Sequence, residues 1–197
     1  MFEIETSWIQ GLNDGDAREL IARLCKAELV AAESRSDYVR WGGDQRAADG
    51  GVDVRTVLPA PLTPEIFYGS ADIVHQVKAE AMGPAKLRNE MTVEGAPRPV
   101  FTELAGSSGC YVVASTKDSC SDSMLKTRLA AMRGVVAGFE TITVDFLDAR
   151  RIADWVERYP TVALWLRQRA GVPALRGWQP YAPWAKIKVK QIIDIFA

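Results

Sequence analysis

Histidine is almost missing from this chain: His75 is the only one in 197 residues. That count excludes His-rich metal clusters and the mechanisms of His-Asn-His nucleases and two-histidine phosphodiesterases, so only chemistry needing little or no imidazole survives. Cysteine is scarce and odd in number, and Cys25, Cys110 and Cys120 are far apart, which fits neither a disulfide framework nor a zinc site. They read as reduced thiols filling core space. No apolar run approaches membrane-spanning length, and Met1 to Ser7 carries Glu3 and Glu5 in place of a basic leader. The expectation is a soluble, cytoplasmic protein with no membrane partner.

An excess of one charge is lacking as well, since 24 Lys and Arg face 25 Asp and Glu, for a net charge of −1. Non-specific affinity for DNA comes mainly from phosphate neutralisation, so any nucleic-acid surface must be local. Arg35, Arg40, Arg46 and Arg55 precede or flank one acidic segment, and Lys86, Arg88 and Arg98 follow the next strand; taken singly, each reads as ordinary solvated surface. A Walker phosphate loop is missing too. Ser107-Ser108-Gly109 and Ser115-Thr116-Lys117 therefore read as strand-end loops, and hydrolysis of a nucleoside triphosphate is not expected within this segment.

What is present is a chain 48% hydrophobic, long enough to bury a core as a single α/β domain with a small appendage. From Asp16 to about Ala32 the residues Ala17, Leu20, Ile21, Leu24 and Ala31 recur at helical spacing, with Asn13, Asp14 and Asp16 offering an N-cap. Tyr38–Trp41, Val52–Val57, Ile73–Val77, Cys110–Ser115 and Thr141–Phe146 have strand character, and Cys110–Ser115 looks buried on both faces. Helices are expected from Pro84 to about Met91, over Ser121–Val136 behind a Ser121 cap, and over Asp148–Arg158 behind Asp148. That order predicts a mixed central sheet flanked by helices. From Pro160 the chain turns rich in Trp and Pro, with Trp165, Trp178 and Trp184 among Pro160, Pro173, Pro180 and Pro183. This divides it into a domain over 1–159 and an extension over 160–197 that packs on it and leads toward a further module. Such tryptophans read as packing anchors before a base-stacking platform.

The chemistry gathers in two short segments, Asp49-Gly50-Gly51-Val52-Asp53 and Gln76-Val77-Lys78. On adjacent strands Asp53 and Gln76 would face each other, with Lys78 on the same side as Gln76 because strand residues alternate. Hydrolysis of a phosphodiester by a metal enzyme needs oxygen ligands for Mg²⁺ or Mn²⁺, an activated water, and positive charge near the phosphorus. Asp53 supplies the anionic ligand, Gln76 a neutral carbonyl, the Val77 backbone a third oxygen, and Lys78 the charge beside the water. Three further carboxylates remain candidates: Glu28, which falls on the apolar face of the first helix, Glu19 at that face's edge, and Asp49, whose other role is the turn at Asp49-Gly50.

These two segments resemble the PD-(D/E)XK nuclease superfamily, in particular its Mrr-like branch, where glutamine replaces the acid of the last motif. Trp41-Gly42-Gly43, the Gly109–Ser115 strand and the stretch from Trp165 through Gly177-Trp178 to Trp184 extend the resemblance to the N-terminal effector nuclease domain of bacterial antiphage STAND NTPase proteins of the Avs type. A similar domain serves as effector in cyclic-oligonucleotide defence systems. The resemblance implies a restriction-endonuclease-like α/β fold and low-specificity endonuclease action on double-stranded DNA. It also implies a homo-oligomer when active and a downstream NTPase or sensor module. RNA as substrate, and a non-catalytic module that keeps the fold for DNA binding or assembly, stay open beside it. Mrr-like proteins carry an aromatic-Glu pair early in the first helix, where this chain has Ala17-Arg18; hence the attention to Glu19 and Glu28.

Overall fold

The computed structural model describes residues 3–42, 52–62 and 69–173. Five strands form one sheet in the order β1-β2-β3-β6-β7: β1 Val39–Trp41, β2 Val54–Val57, β3 Asp72–Lys78, β6 Cys110–Ser115 and β7 Thr143–Leu147. The first three run antiparallel, while β6 and β7 lie parallel to β3. The sheet is therefore mixed, as the alternation of patterns predicts, and every residue of β6 is buried.

Helices cover both faces. On one side α1 (Thr6–Gln10), α2 (Asp14–Ala31), α6 (Ala149–Glu157) and α7 (Pro160–Arg169) pack with Ile73, Val77, Val112 and Ala114. On the other, α3 (Pro84–Met91), α4 (Val100–Ser107) and α5 (Asp122–Val135) enclose Val74, Tyr111, Val113 and Phe146. Period-two alternation along β3 divides its residues between the two cores. The caps follow sequence chemistry: Asn13, Ser121 and Asp148 accept from the backbone N–H groups of Asp16, Met124 and Arg151.

Several elements depart from the sequence expectation. The segment after Pro160 begins as a helix with Pro160 in its first turn, and Val162, Ala163, Trp165 and Leu166 enter the same core as α2 and α6. Trp178 and Trp184 lie outside the described residues. Between α3 and β6 the chain adds the two-residue strands β4 (Thr92–Val93) and β5 (Ala96–Pro97) and then α4. Glu94 and Gly95 join those strands with φ of 51° and 80°, the pair of positive values a tight hairpin turn demands. The Ser107-Ser108-Gly109 stretch is the exit from α4, with Ser108 left-handed; a Cβ on Gly109 would lie 2.9 Å from the Asp72 carbonyl oxygen and collide with Leu104 Cδ2. All three cysteines are free thiols, Cys25 and Cys110 fully buried.

One buried network fixes the link from β3 to α3. Asp118 accepts the Met82 N–H at 2.6 Å on one oxygen and Arg128 Nη2 at 2.6 Å on the other, while Arg128 Nε donates to the Met82 carbonyl at 3.0 Å. Ser115 Oγ donates to the Glu80 carbonyl at 2.8 Å. The link is thus pinned at both ends before α3 begins.

Candidate active site

Asp53 precedes β2, whose register sets Val54 against His75, so Asp53 falls opposite Gln76. The Asp53 N–H donates to the His75 carbonyl at 3.1 Å. Its carboxylate turns back onto β3: Oδ2 accepts the Gln76 side-chain amide at 2.8 Å and the Val77 backbone N–H at 2.7 Å. The opposition of Asp53 and Gln76 drawn from the sequence is therefore present, and the Val77 main chain meets Asp53 through its N–H. The Asp53 side chain is only 6% exposed.

The other carboxylate oxygen meets a cation of the chain itself. Arg18 Nε, from the first turns of α2, lies 2.7 Å from Asp53 Oδ1, although its N–H is not aligned on any acceptor. The contact is a charge pair more than a directed hydrogen bond. It stands in the part of the helix where the sequence resemblance leads one to seek a glutamate. Beside it, Gln76 is 4% exposed and its Oε1 has no hydrogen-bond partner. A buried acceptor in that state costs free energy that a cation or a water molecule would recover.

Lys78 projects on the same side as Gln76, and its Nζ lies 2.9 Å from Glu90 Oε1 on α3. Glu90 does not stand out in the sequence; only the tertiary placing of the last turn of α3 brings it there, and the spacing of the lysine and an acid twelve residues on is too common to signal it. Where β3 ends, the Ala79 N–H donates to Asp14 Oδ1 at 3.1 Å, and the Thr116 N–H donates to the Lys78 carbonyl at 3.0 Å. The site therefore lies beyond the carboxyl ends of the parallel strands β3 and β6, between the start of α2 and the end of α3. That is the usual position for ligands on open α/β sheets.

The weaker carboxylate candidates are not drawn in. Glu28 is buried, as its place on the apolar face implies, but Oε1 accepts from Trp155 Nε1 at 2.6 Å and lies 3.7 Å from Arg158 Nη1. Burial and a hydrogen bond to Glu28 together push the Tyr159 phenol up. Ten residues of α2 separate Glu28 from Arg18, about 15 Å of helix. Glu19 pairs with Arg23 at 2.7 Å and Arg169 at 3.5 Å on the surface. Asp49 lies outside the described residues.

The lone histidine sits on the opposite face of β3 from Gln76. Its ring stacks 6.2 Å from that of Trp155, its Nδ1 is 4.0 Å from Cys25 Sγ, and burial depresses its pKa to about 4. Burial likewise pushes the Cys25 thiol up to about 12. Neither group is suited to proton transfer or nucleophilic attack near neutral pH.

Among the described residues no group of three or more His, Cys, Asp and Glu side chains stands together to hold a metal, so a cation at Asp53 would draw on amide and backbone oxygens as well. No helix there is long and apolar enough to cross a membrane. No family model, no curated protein and no solved structure matches the chain.

Proposed function

We propose that the Asp53, Gln76 and Lys78 cluster is the centre of a Mg²⁺- or Mn²⁺-dependent endonuclease that hydrolyses double-stranded DNA with little sequence preference. The observation that carries this is the Gln76 amide held 2.8 Å from a buried Asp53 carboxylate, with its own oxygen unpartnered and Lys78 on the same side. That donor set suits a hard cation: an anionic oxygen from Asp53 and a neutral one from Gln76 Oε1. The mixed sheet with helices on both faces is compatible with a restriction-endonuclease-like fold.

A bound divalent cation supplies charge neutralisation at the phosphate and a water of lowered pKa. Asp53 and Gln76 bind and orient it; Lys78, presenting three donors, steers the attacking water and stabilises charge growing on the phosphate oxygens. In this reading the domain is the effector of an antiphage system, governed by an NTPase or sensor module and cutting both strands as an oligomer.

One observation favours a second reading, a non-catalytic module of the same fold. Arg18 already gives Asp53 the positive charge that a metal would bring. Plasmid DNA and a matched RNA, each incubated with the protein and Mg²⁺ or Mn²⁺ with and without chelator, separate the two. The endonuclease reading expects chelator-sensitive nicking and linearisation of the plasmid, abolished in Asp53→Ala and Lys78→Ala. Cutting by those variants at the parent rate refutes the site; no cutting and no cation binding by the parent favours the module.

A further inference from the structure

We infer that Glu90 is the second carboxylate of this centre, a ligand to the same divalent cation as Asp53 that holds Lys78 in place until the cation arrives. This rests on the metal-dependent reading above. A hard divalent cation is held chiefly by anionic oxygens, and β3 contributes only the neutral amide of Gln76, so one carboxylate is left to do the work of two. The polar atom that marks the gap is Gln76 Oε1, unpartnered in a residue 4% exposed and on the side of β3 from which Lys78 projects.

Glu90 reaches that side by construction. The link after β3 is pinned by Asp118, Arg128 and Ser115, Pro84 starts α3, and the last turn of this eight-residue helix brings Glu90 Oε1 back to 2.9 Å from Lys78 Nζ. A carboxylate in the last turn opposes the helix dipole, so the position is unfavourable for an acid that merely decorates the surface. This one is also largely withdrawn from water, its side chain 22% exposed. It is held twice by Arg98, whose Nε donates to the Glu90 carbonyl and whose Nη2 lies 3.8 Å from the same Oε1. The carboxylate is thus oriented through main chain and side chain toward the one lysine of the site. With a divalent cation held at Asp53, Glu90 would turn to it and leave Lys78 to the attacking water.

Calorimetric titration of Mn²⁺ and Mg²⁺ into the protein without nucleic acid tests the assignment, with circular dichroism and thermal melting run on every variant. Glu90→Gln keeps the size and hydrogen-bonding capacity of the side chain; it is expected to fold and to bind Mn²⁺ roughly tenfold or more weakly than the parent, since cation affinity follows ligand charge. Adding Gln76→Glu to Glu90→Gln returns a carboxylate to the site from β3 and is expected to restore binding. Should Glu90→Gln fail to fold, Glu90→Asp keeps the charge on a shorter stem and is expected to bind the cation more weakly than the parent. A folded Glu90→Gln, or a folded Glu90→Asp, that binds as tightly as the parent while Asp53→Asn does not overturns the inference and leaves the Asp53 centre standing. A loss that Gln76→Glu does not repair makes Glu90 a support for Lys78 only, which also overturns it. A parent protein that binds neither cation overturns this inference together with the reading beneath it.

Discussion

Replacing Arg18 by alanine is expected to destabilise the cation-free protein and at the same time tighten its grip on a divalent cation. Arg18 Nε sits 2.7 Å from Asp53 Oδ1, and a Mg²⁺ taking that oxygen must displace it. Two unit charges about 4 Å apart attract by roughly 4 kcal/mol at an effective dielectric of about 20. The arginine side chain is 27% exposed, however, so solvent screening and the entropy of holding it still leave a net of about 1 to 2 kcal/mol. Removing the competitor returns that amount to the cation, an affinity gain of about 5- to 30-fold. The cation-free melting temperature should fall by about 2 to 8 °C, and added Mg²⁺ should raise it further in the variant than in the parent. Titration calorimetry and melting with and without Mg²⁺ read both effects. Cation affinity unchanged or weakened in Arg18→Ala would show that Arg18 and the cation do not contend for Asp53, and the reasoning fails.

Other outcomes follow from the same contacts. His75 is neutral in the folded chain and takes up a proton on unfolding below its ordinary pKa of 6.5, so its contribution is intact above that pH and is lost as pH falls toward about 4. The loss should reach about 2 kcal/mol by pH 5; because it is the chain's only histidine, one imidazole titration by NMR checks it, and a midpoint near 6.5 refutes it. Arg128→Ala leaves the buried Asp118 carboxylate without its cation and should cost roughly 3 to 5 kcal/mol in urea unfolding, whereas the surface change Lys126→Ala should cost less than about 1 kcal/mol. Gln76→Glu sets two buried carboxylates against each other and should lower the melting temperature above pH 7 without divalent cation, with Mg²⁺ recovering the difference.

The parts of the molecule legible in the sequence are those fixed by short-range pattern. The β-branched residues of Ile73–Val77, the apolar run of Cys110–Ala114 and the caps Asn13, Ser121 and Asp148 all report local geometry, and the facing of Asp53 and Gln76 follows from two strands in register. Short elements were less visible: β4 and β5 are two residues each, and the eight residues of α4 are too few for a helical period to stand out. α7 was hidden by Pro160 and the aromatic residues after it, since a proline reads as a break as readily as a helix start. Within the site, Arg18 and Glu90 come from the start of one helix and the end of another, so tertiary packing alone brings them to β3. Glu28 shows the same limit from the other side. Its burial follows from the helix pattern, but its partner Trp155 lies 127 residues away, on α6.

The pinned link between β3 and α3 makes that stretch a spacer of set length. Most surface loops absorb an added residue at small entropic cost. Here the Glu80 and Met82 main chain is fastened to Ser115, Asp118 and Arg128, so an added residue must either break those bonds or pass its displacement into α3. One extra residue between Glu80 and Met82 would leave the Asp53–Gln76 contact untouched, and where its displacement passes into α3 it turns Glu90 away from Lys78. The strand half of the centre and the helix half can thus be uncoupled by chain length alone, with every side chain still present.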